Sequence, residues 1–76
     1  MKSKKLRELI FSDKLEFIME AHNGISSKIV EKTGFKAIWA SGLCLSASLG
    51  LRDSNEASWS QVVDTLEYMA NSVDIP

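Results

Sequence analysis

Residues 15–40 read LEFIMEAHNGISSKIVEKTGFKAIWA, and the order of elements in this stretch decides the fold. Leu15, Phe17, Ile18, Met19 and Ala21 make a short, nearly continuous apolar run, the pattern of a strand covered on both faces in a parallel sheet. His22-Asn23-Gly24 follows as a strand-ending turn. Ser26 or Ser27 is then placed to cap a helix with Ile29 and Val30 on its buried side, and Gly34 stands where a left-handed C-cap residue belongs. Phe35 to Ala40 gives a second apolar run. Strand, helix and strand in this order make a βαβ unit.

On the N-terminal side, Leu6, Leu9 and Ile10 recur at helical spacing, which predicts a short amphipathic helix from about Lys4 to Phe11. The basic cluster Lys2, Lys4, Lys5 and Arg7 is expected on its solvated face. On the C-terminal side, Trp59, Val62, Val63, Leu66, Met69, Ala70 and Val73 fall on one helical face, with Asp64, Glu67 and Asn71 opposite. Ser58 and Gln61 match a capping box, in which each side chain satisfies an otherwise unpaired backbone N–H. A third strand is expected to begin at Ile75-Pro76. Alternating strands and helices imply an α/β fold with a parallel sheet, either an open doubly wound sheet or a closed (β/α)₈ barrel. Because a barrel typically takes about 250 residues, a 76-residue chain is expected to supply only part of one domain.

Composition narrows the function classes. Nine basic and ten acidic residues leave a formal net charge of −1, so no electrostatic footprint points to nucleic acid or to an anionic membrane surface. No apolar run approaches the roughly 20 residues of a membrane span, and the basic N-terminus leads into the charged stretch SDKLEF rather than a signal-peptide core. The single cysteine, Cys44, excludes an internal disulfide and fits a reducing compartment, so a cytoplasmic location is expected.

Chemistry is expected in the connection from Ser41 to Ala57, which is longer than the usual two to six residues and would emerge at the C-terminal face of the sheet. Gly42 permits close approach of backbone amides to an anionic ligand, although Ser41-Gly42 also suits an ordinary strand-ending turn. Leu43 to Leu49 alternates apolar and small polar residues and suits either an extended segment or a short helix. Cys44 has no basic neighbour in sequence to activate a thiolate. Arg52, Asp53, Asn55 and Glu56 form a dense polar cluster. Asp53 suits a site near Mg²⁺, and Asp53 or Asn55 equally suits a helix cap. His22, the only histidine, stands at a strand end where it could act as a base or a metal ligand, although a lone histidine in a turn is more often structural.

Three motifs, AHNG at 21–24, GFKAIWASGL at 34–43 and RDSNEASW at 52–59, occur together, and around them nearly the whole chain from about Leu6 resembles the phosphoenolpyruvate mutases of the isocitrate lyase/phosphoenolpyruvate mutase superfamily. The resemblance implies that residues 1–76 are the N-terminal part of a single (β/α)₈ (TIM) barrel domain. About two βα units, an N-terminal helix and the start of a third strand would be present. It implies a Mg²⁺-dependent isomerase that interconverts phosphoenolpyruvate and phosphonopyruvate in phosphonate biosynthesis, working on a small-molecule substrate and commonly assembled as a homotetramer.

By the same resemblance, Trp39, Ser41, Gly42 and Leu43 contact the substrate, Trp39 by its ring and the others through the serine hydroxyl and backbone N–H groups. Asp53 takes the place of the family's acidic catalytic residue near the metal, acting through bound water. Direct metal ligands are implied in an Asp-x-Asp motif beyond Pro76, with a mobile lid elsewhere, so residues 1–76 alone are expected to be inactive. Sister activities on the same barrel are phosphonopyruvate hydrolysis and methylisocitrate lyase-like carbon–carbon cleavage. A non-catalytic fragment or interaction module is the reading from another class.

Overall fold

The parallel pairing of two four-residue strands organises the chain. In a computed structural model describing residues 1–76, β1 (Ile18–Ala21) lies beside β2 (Ala37–Ala40), with Ile18 opposite Ala37, Glu20 opposite Trp39 and Ala21 opposite Ala40. Around this pair run α1 (Lys2–Ile10), α2 (Gly24–Thr33), α3 (Gly42–Ser48) and α4 (Trp59–Ser72). The expected order of helix, strand, helix, strand and final helix is present. One further short helix, α3, resolves the choice left open for residues 43–49. No helix is long and apolar enough to cross a membrane.

Local signals place the helix ends. The side chain of Asn23, held extended at φ −160° and ψ −179°, accepts from Ser26 N–H at 2.8 Å, while Ser26 Oγ accepts from Asn23 N–H at 3.1 Å. Asn23 is therefore the N-cap, and the expectation of Ser26 or Ser27 is corrected. Ser26 closes the box as the third helical residue, and Ser27, fully buried, donates to the Asn23 carbonyl at 2.7 Å. Gly34 ends α2 at φ 104°, a left-handed conformation that glycine adopts without steric cost. Ser58 and Gln61 form the expected box at α4, so neither Asp53 nor Asn55 caps that helix.

Burial is thinner than the apolar runs imply. Only eight of the 76 residues are buried, and the core cluster is Ala21, Val30 and Met69, with Phe35, Ile38 and Ile75 packed against it. The helices α2 and α4 pack on each other and meet the sheet at this cluster. The apolar run 15–21 yields a strand only from Ile18, and the run 35–40 only from Ala37, because regular pairing extends over four registers. Within residues 1–76, where the sheet has only two strands, Ile18 and Met19 are exposed. Ile29 is 60% exposed and also departs from expectation, since the face of α2 turned inward carries Ser27 and Val30. On α4 the inward end is Met69 and, just past the helix, Val73, whereas Trp59, Val63 and Leu66 at the other end are exposed.

The basic cluster of α1 is not wholly solvated. Lys2 Nζ donates to the Ala70 carbonyl and Lys5 Nζ to the Asp74 carbonyl, the latter at 3.3 Å. Cations near the carbonyl end of a helix satisfy otherwise unpaired acceptors and meet a favourable dipole. No residue of α1 is buried and Leu9 is only half-buried, so these lysine hydrogen bonds supplement a thin apolar contact with the rest. The Glu31 carboxylate accepts from the Asp74 and Ile75 N–H groups at 2.7 and 3.3 Å, and Ile38 N–H donates to the Pro76 carbonyl at 2.8 Å. Residues 74–76 thus run alongside β2.

Candidate functional site

The C-terminal ends of β1 and β2 open together, and the segment leaving β2 gathers the residues expected to hold a ligand. Ser41 N–H donates to the Ala21 carbonyl at 3.2 Å, which ties the start of the connection to the end of β1. Ser41 is also the N-cap of α3, its hydroxyl accepting from Cys44 N–H at 3.1 Å. Gly42 and Leu43 follow as the first helical residues, and amides in a first turn have no acceptor within the helix. Trp39, opposite Glu20 in the register, is 64% exposed, and Leu43 is 61% exposed.

Asp53 returns to this turn from the far end of the connection. Its Oδ1 lies 3.8 Å from the position a Cβ would take on Gly42. Neither ion pair of the structure involves it. The structure therefore brings Ser41, Gly42 and Asp53 together, with Leu43 beside them on α3 and Trp39 two residues upstream on β2.

The loop that carries Asp53 is closed by a clamp whose partners the sequence left uncertain. Arg52 donates from its backbone N–H to Glu56 Oε2 and from Nε to Oε1, both at 2.7 Å, and the guanidinium completes an ion pair. The Arg52 side chain first, and its backbone N–H second, hold the Glu56 carboxyl below its ordinary value of 4.5. Gly50 at φ 75° and Asn55 at φ 62° make the two left-handed turns of this loop. Asparagine is among the few side chains that tolerate that region. Asp53 sits inside the clamp, so its position depends on a network other than α3.

A second group of polar side chains was missed in sequence. Glu20 Oε1 lies 2.8 Å from His22 Nδ1, and Cys44 joins them, one ligand atom from each residue lying within 4.8 Å of the others. Cys44 has no basic neighbour in sequence, but His22 is its neighbour in space. The available signal was the i, i+2 spacing of Glu20 and His22, which puts both on one side of an extended chain.

Comparison with known proteins supplies the context. The family model described as phosphoenolpyruvate phosphomutase matches residues 6–76. The chain is similar to a phosphoenolpyruvate phosphomutase of Tetrahymena pyriformis, with 57% identity over 75 residues, covering 99% of this chain and 25% of that protein. Among solved structures it is similar to the phosphoenolpyruvate phosphomutase of Streptomyces platensis subsp. rosaceus. The TM-score is 0.94 at 33% identity, covering 100% of this chain and 26% of that one. It is also similar to a phosphonopyruvate hydrolase solved in complex with oxalate and Mg²⁺, with a TM-score of 0.92 at 39% identity, covering 99% of this chain and 26% of that one. The chain spans about a quarter of the length of the curated relatives it matches.

Proposed function

The chain belongs to the phosphoenolpyruvate phosphomutase family, and from that premise we propose that it forms the first portion of a (β/α)₈ barrel that interconverts phosphoenolpyruvate and phosphonopyruvate. Residues 1–76 then belong to a single barrel domain, contributing two βα units, an N-terminal helix and, at residues 74–76 beside Ile38, the start of a third strand. The observation that carries the reading is the return of Asp53 to within 3.8 Å of the Gly42 Cβ position, beside the turn that follows β2. The mutase is preferred to the hydrolase because the Tetrahymena pyriformis mutase, at 57% identity, stands well above the hydrolase at 39%, although the Streptomyces platensis mutase stands at 33%.

In this reading the chain's residues bind and orient rather than form bonds. The exposed Trp39 ring is a flat apolar wall for the enol or keto acid. The Gly42 and Leu43 N–H groups and the Ser41 hydroxyl donate to carboxylate or phosphoryl oxygens. Migration of a phosphoryl group between oxygen and carbon passes through a loosely bonded, highly charged arrangement, for which fixed donors matter more than a strong base. Asp53 offers a hard oxygen donor with no ion-pair partner, and this fits Mg²⁺ held through water. When bound, Mg²⁺ neutralises charge on the substrate oxygens and orients them. One carboxylate does not make a complete Mg²⁺ site, so the direct ligands would come from further strands of the barrel, and the full-length protein would be a homo-oligomer as the resemblance implies. A cytoplasmic setting suits this small-molecule chemistry.

Phosphorus NMR of phosphonopyruvate with Mg²⁺ tests the proposal. The full-length protein is expected to establish an equilibrium with phosphoenolpyruvate, and the 76-residue chain alone is expected to leave the substrate unchanged. Release of phosphate and pyruvate by the full-length protein would replace the mutase with the hydrolase reading.

A further inference from the structure

Where β1 ends, three side chains of different donor chemistry converge: a carboxylate, an imidazole and a thiol. Glu20 belongs to β1 and His22 follows it by two residues, so an extended chain turns both to one side. Cys44 arrives from the first turn of α3. One ligand atom from each lies within 4.8 Å of the other two, and Glu20 and His22 are already in contact at 2.8 Å.

Backbone hydrogen bonds, rather than a flexible loop, hold the three together. Ser41 N–H reaches the Ala21 carbonyl, between Glu20 and His22, and the Ser41 hydroxyl holds the Cys44 N–H. Cys44 is therefore fixed to the end of β1 by two successive hydrogen bonds. The His22 N–H donates to Ser26 Oγ at 3.0 Å, inside the capping network of α2. The positions of all three residues thus follow from sheet register and helix capping.

We infer that Glu20, His22 and Cys44 bind one borderline-soft divalent cation of the Zn²⁺ class, as three protein ligands with a fourth position open to solvent. Tetrahedral Zn²⁺ with bonds of about 2.0–2.3 Å spaces its ligand atoms about 3.3–3.7 Å apart, so side-chain rotations of roughly an ångström that part Glu20 from His22, now 2.8 Å apart, and keep the Cys44 sulfur within reach would fit the cluster to a cation. A carboxylate and a thiolate together balance the dication. The site remains reachable, because the side chains of His22 and Glu20 are 30% and 37% exposed. Sulfur and imidazole nitrogen select Zn²⁺ or Co²⁺ over Mg²⁺, which prefers oxygen ligands in octahedral array. The site shares no residue with the Mg²⁺ reading of Asp53 and does not depend on it. Occupancy would clamp α3, and with it Ser41, Gly42 and Leu43, to the end of β1.

The test is a Co²⁺ titration of the purified chain in reducing, chelator-free buffer. One Co²⁺ per chain should bind with a thiolate-to-metal charge-transfer band, and Zn²⁺, but not excess Mg²⁺, should displace it. E20Q and H22Q should each weaken binding by at least ~10–100-fold, the range already seen when only outer ligand partners are changed. C44S should abolish the band. A measurement on the unaltered chain removes any dependence on how the variants fold: His22 is the only histidine, so addition of Zn²⁺ should shift its ring resonances in NMR. Unmoved His22 resonances, Co²⁺ binding without the charge-transfer band, displacement by Mg²⁺, or one metal per two chains would each overturn the inference.

Discussion

Asp53 Oδ1 stands 3.8 Å from the place a Cβ would occupy on Gly42, an ordinary van der Waals separation. A methyl group therefore fits there without moving the backbone, and Gly42 is helical, where alanine is the better residue. G42A should raise the stability of the chain by about 0.4–1 kcal/mol, chiefly by restricting the unfolded state. In the full-length protein the same methyl would stand between the Gly42 amide and a bound oxyanion, so KM should rise while the melting temperature does not fall. Thermal unfolding and steady-state kinetics check the two halves separately, and a lowered melting temperature would show that the turn is tighter than described.

Gly24 behaves in the opposite way. A Cβ there would meet Ser72 Oγ at 3.0 Å, and that hydroxyl is held by donation to the Tyr68 carbonyl at 2.6 Å. G24A should destabilise the α2 and α4 contact by about 1 kcal/mol, at the low end of overpacking costs. S72A in the same background should recover most of the loss. Urea unfolding of the four chains in a double-mutant cycle reads the coupling, and additive effects would refute the proposed clash.

Asn23 carries the capping box of α2. N23A removes the acceptor for Ser26 N–H and should cost about 0.5–2 kcal/mol, while N23D or N23S should retain most of the stability. Equal losses in all three variants would mean that the helix start is held by Ser27 and by packing instead.

Which features could be read in the chain, and which could not, follows from the range of the interactions behind them. Gly34 and the Ser58–Gln61 box are decided within four residues, so their types alone identify them. The choice of Asn23 over Ser26 depends on where β1 stops, and that is set by pairing with β2 across the sheet. Burial of Ser27 in place of Ile29 depends on the direction from which α4 approaches α2, which no local pattern encodes. The candidate site divides in the same way. Trp39, Ser41, Gly42 and Leu43 lie within five consecutive positions, whereas the approach of Asp53 to Gly42 and of Cys44 to His22 arises from tertiary geometry.

The Arg52–Glu56 clamp has a definite pH sign. The Glu56 carboxyl is held below 4.5 in the folded chain by the Arg52 side chain and then by its N–H. Its stabilising contribution is therefore present above the ordinary glutamate range and is lost as pH falls through the lowered value. Carboxyl-carbon NMR titration should find Glu56 titrating below 4.5, and R52A should move it upward. Because Arg52 is largely exposed, salt should weaken the shift. A Glu56 titration unaffected by R52A would remove the clamp as a determinant of the loop.

The clamp also predicts how Asp53 should respond to substitution. D53N keeps the shape and removes the charge, and Asp53 takes part in neither ion pair, so the fold should be unchanged by circular dichroism and thermal unfolding. If Asp53 acts through water on Mg²⁺ in the full-length protein, D53N should lower activity by about 10–100-fold, as expected for an outer partner of a metal, and should weaken apparent Mg²⁺ affinity. R52A should show a weaker version of the same defect, because it loosens the loop without altering the carboxylate. Raising Mg²⁺ should then recover part of the activity of R52A and D53N, whereas G42A, which obstructs the substrate rather than the metal, should gain nothing. Identical Mg²⁺ dependence in all three variants would separate Asp53 from the metal and leave it as a structural neighbour of Gly42.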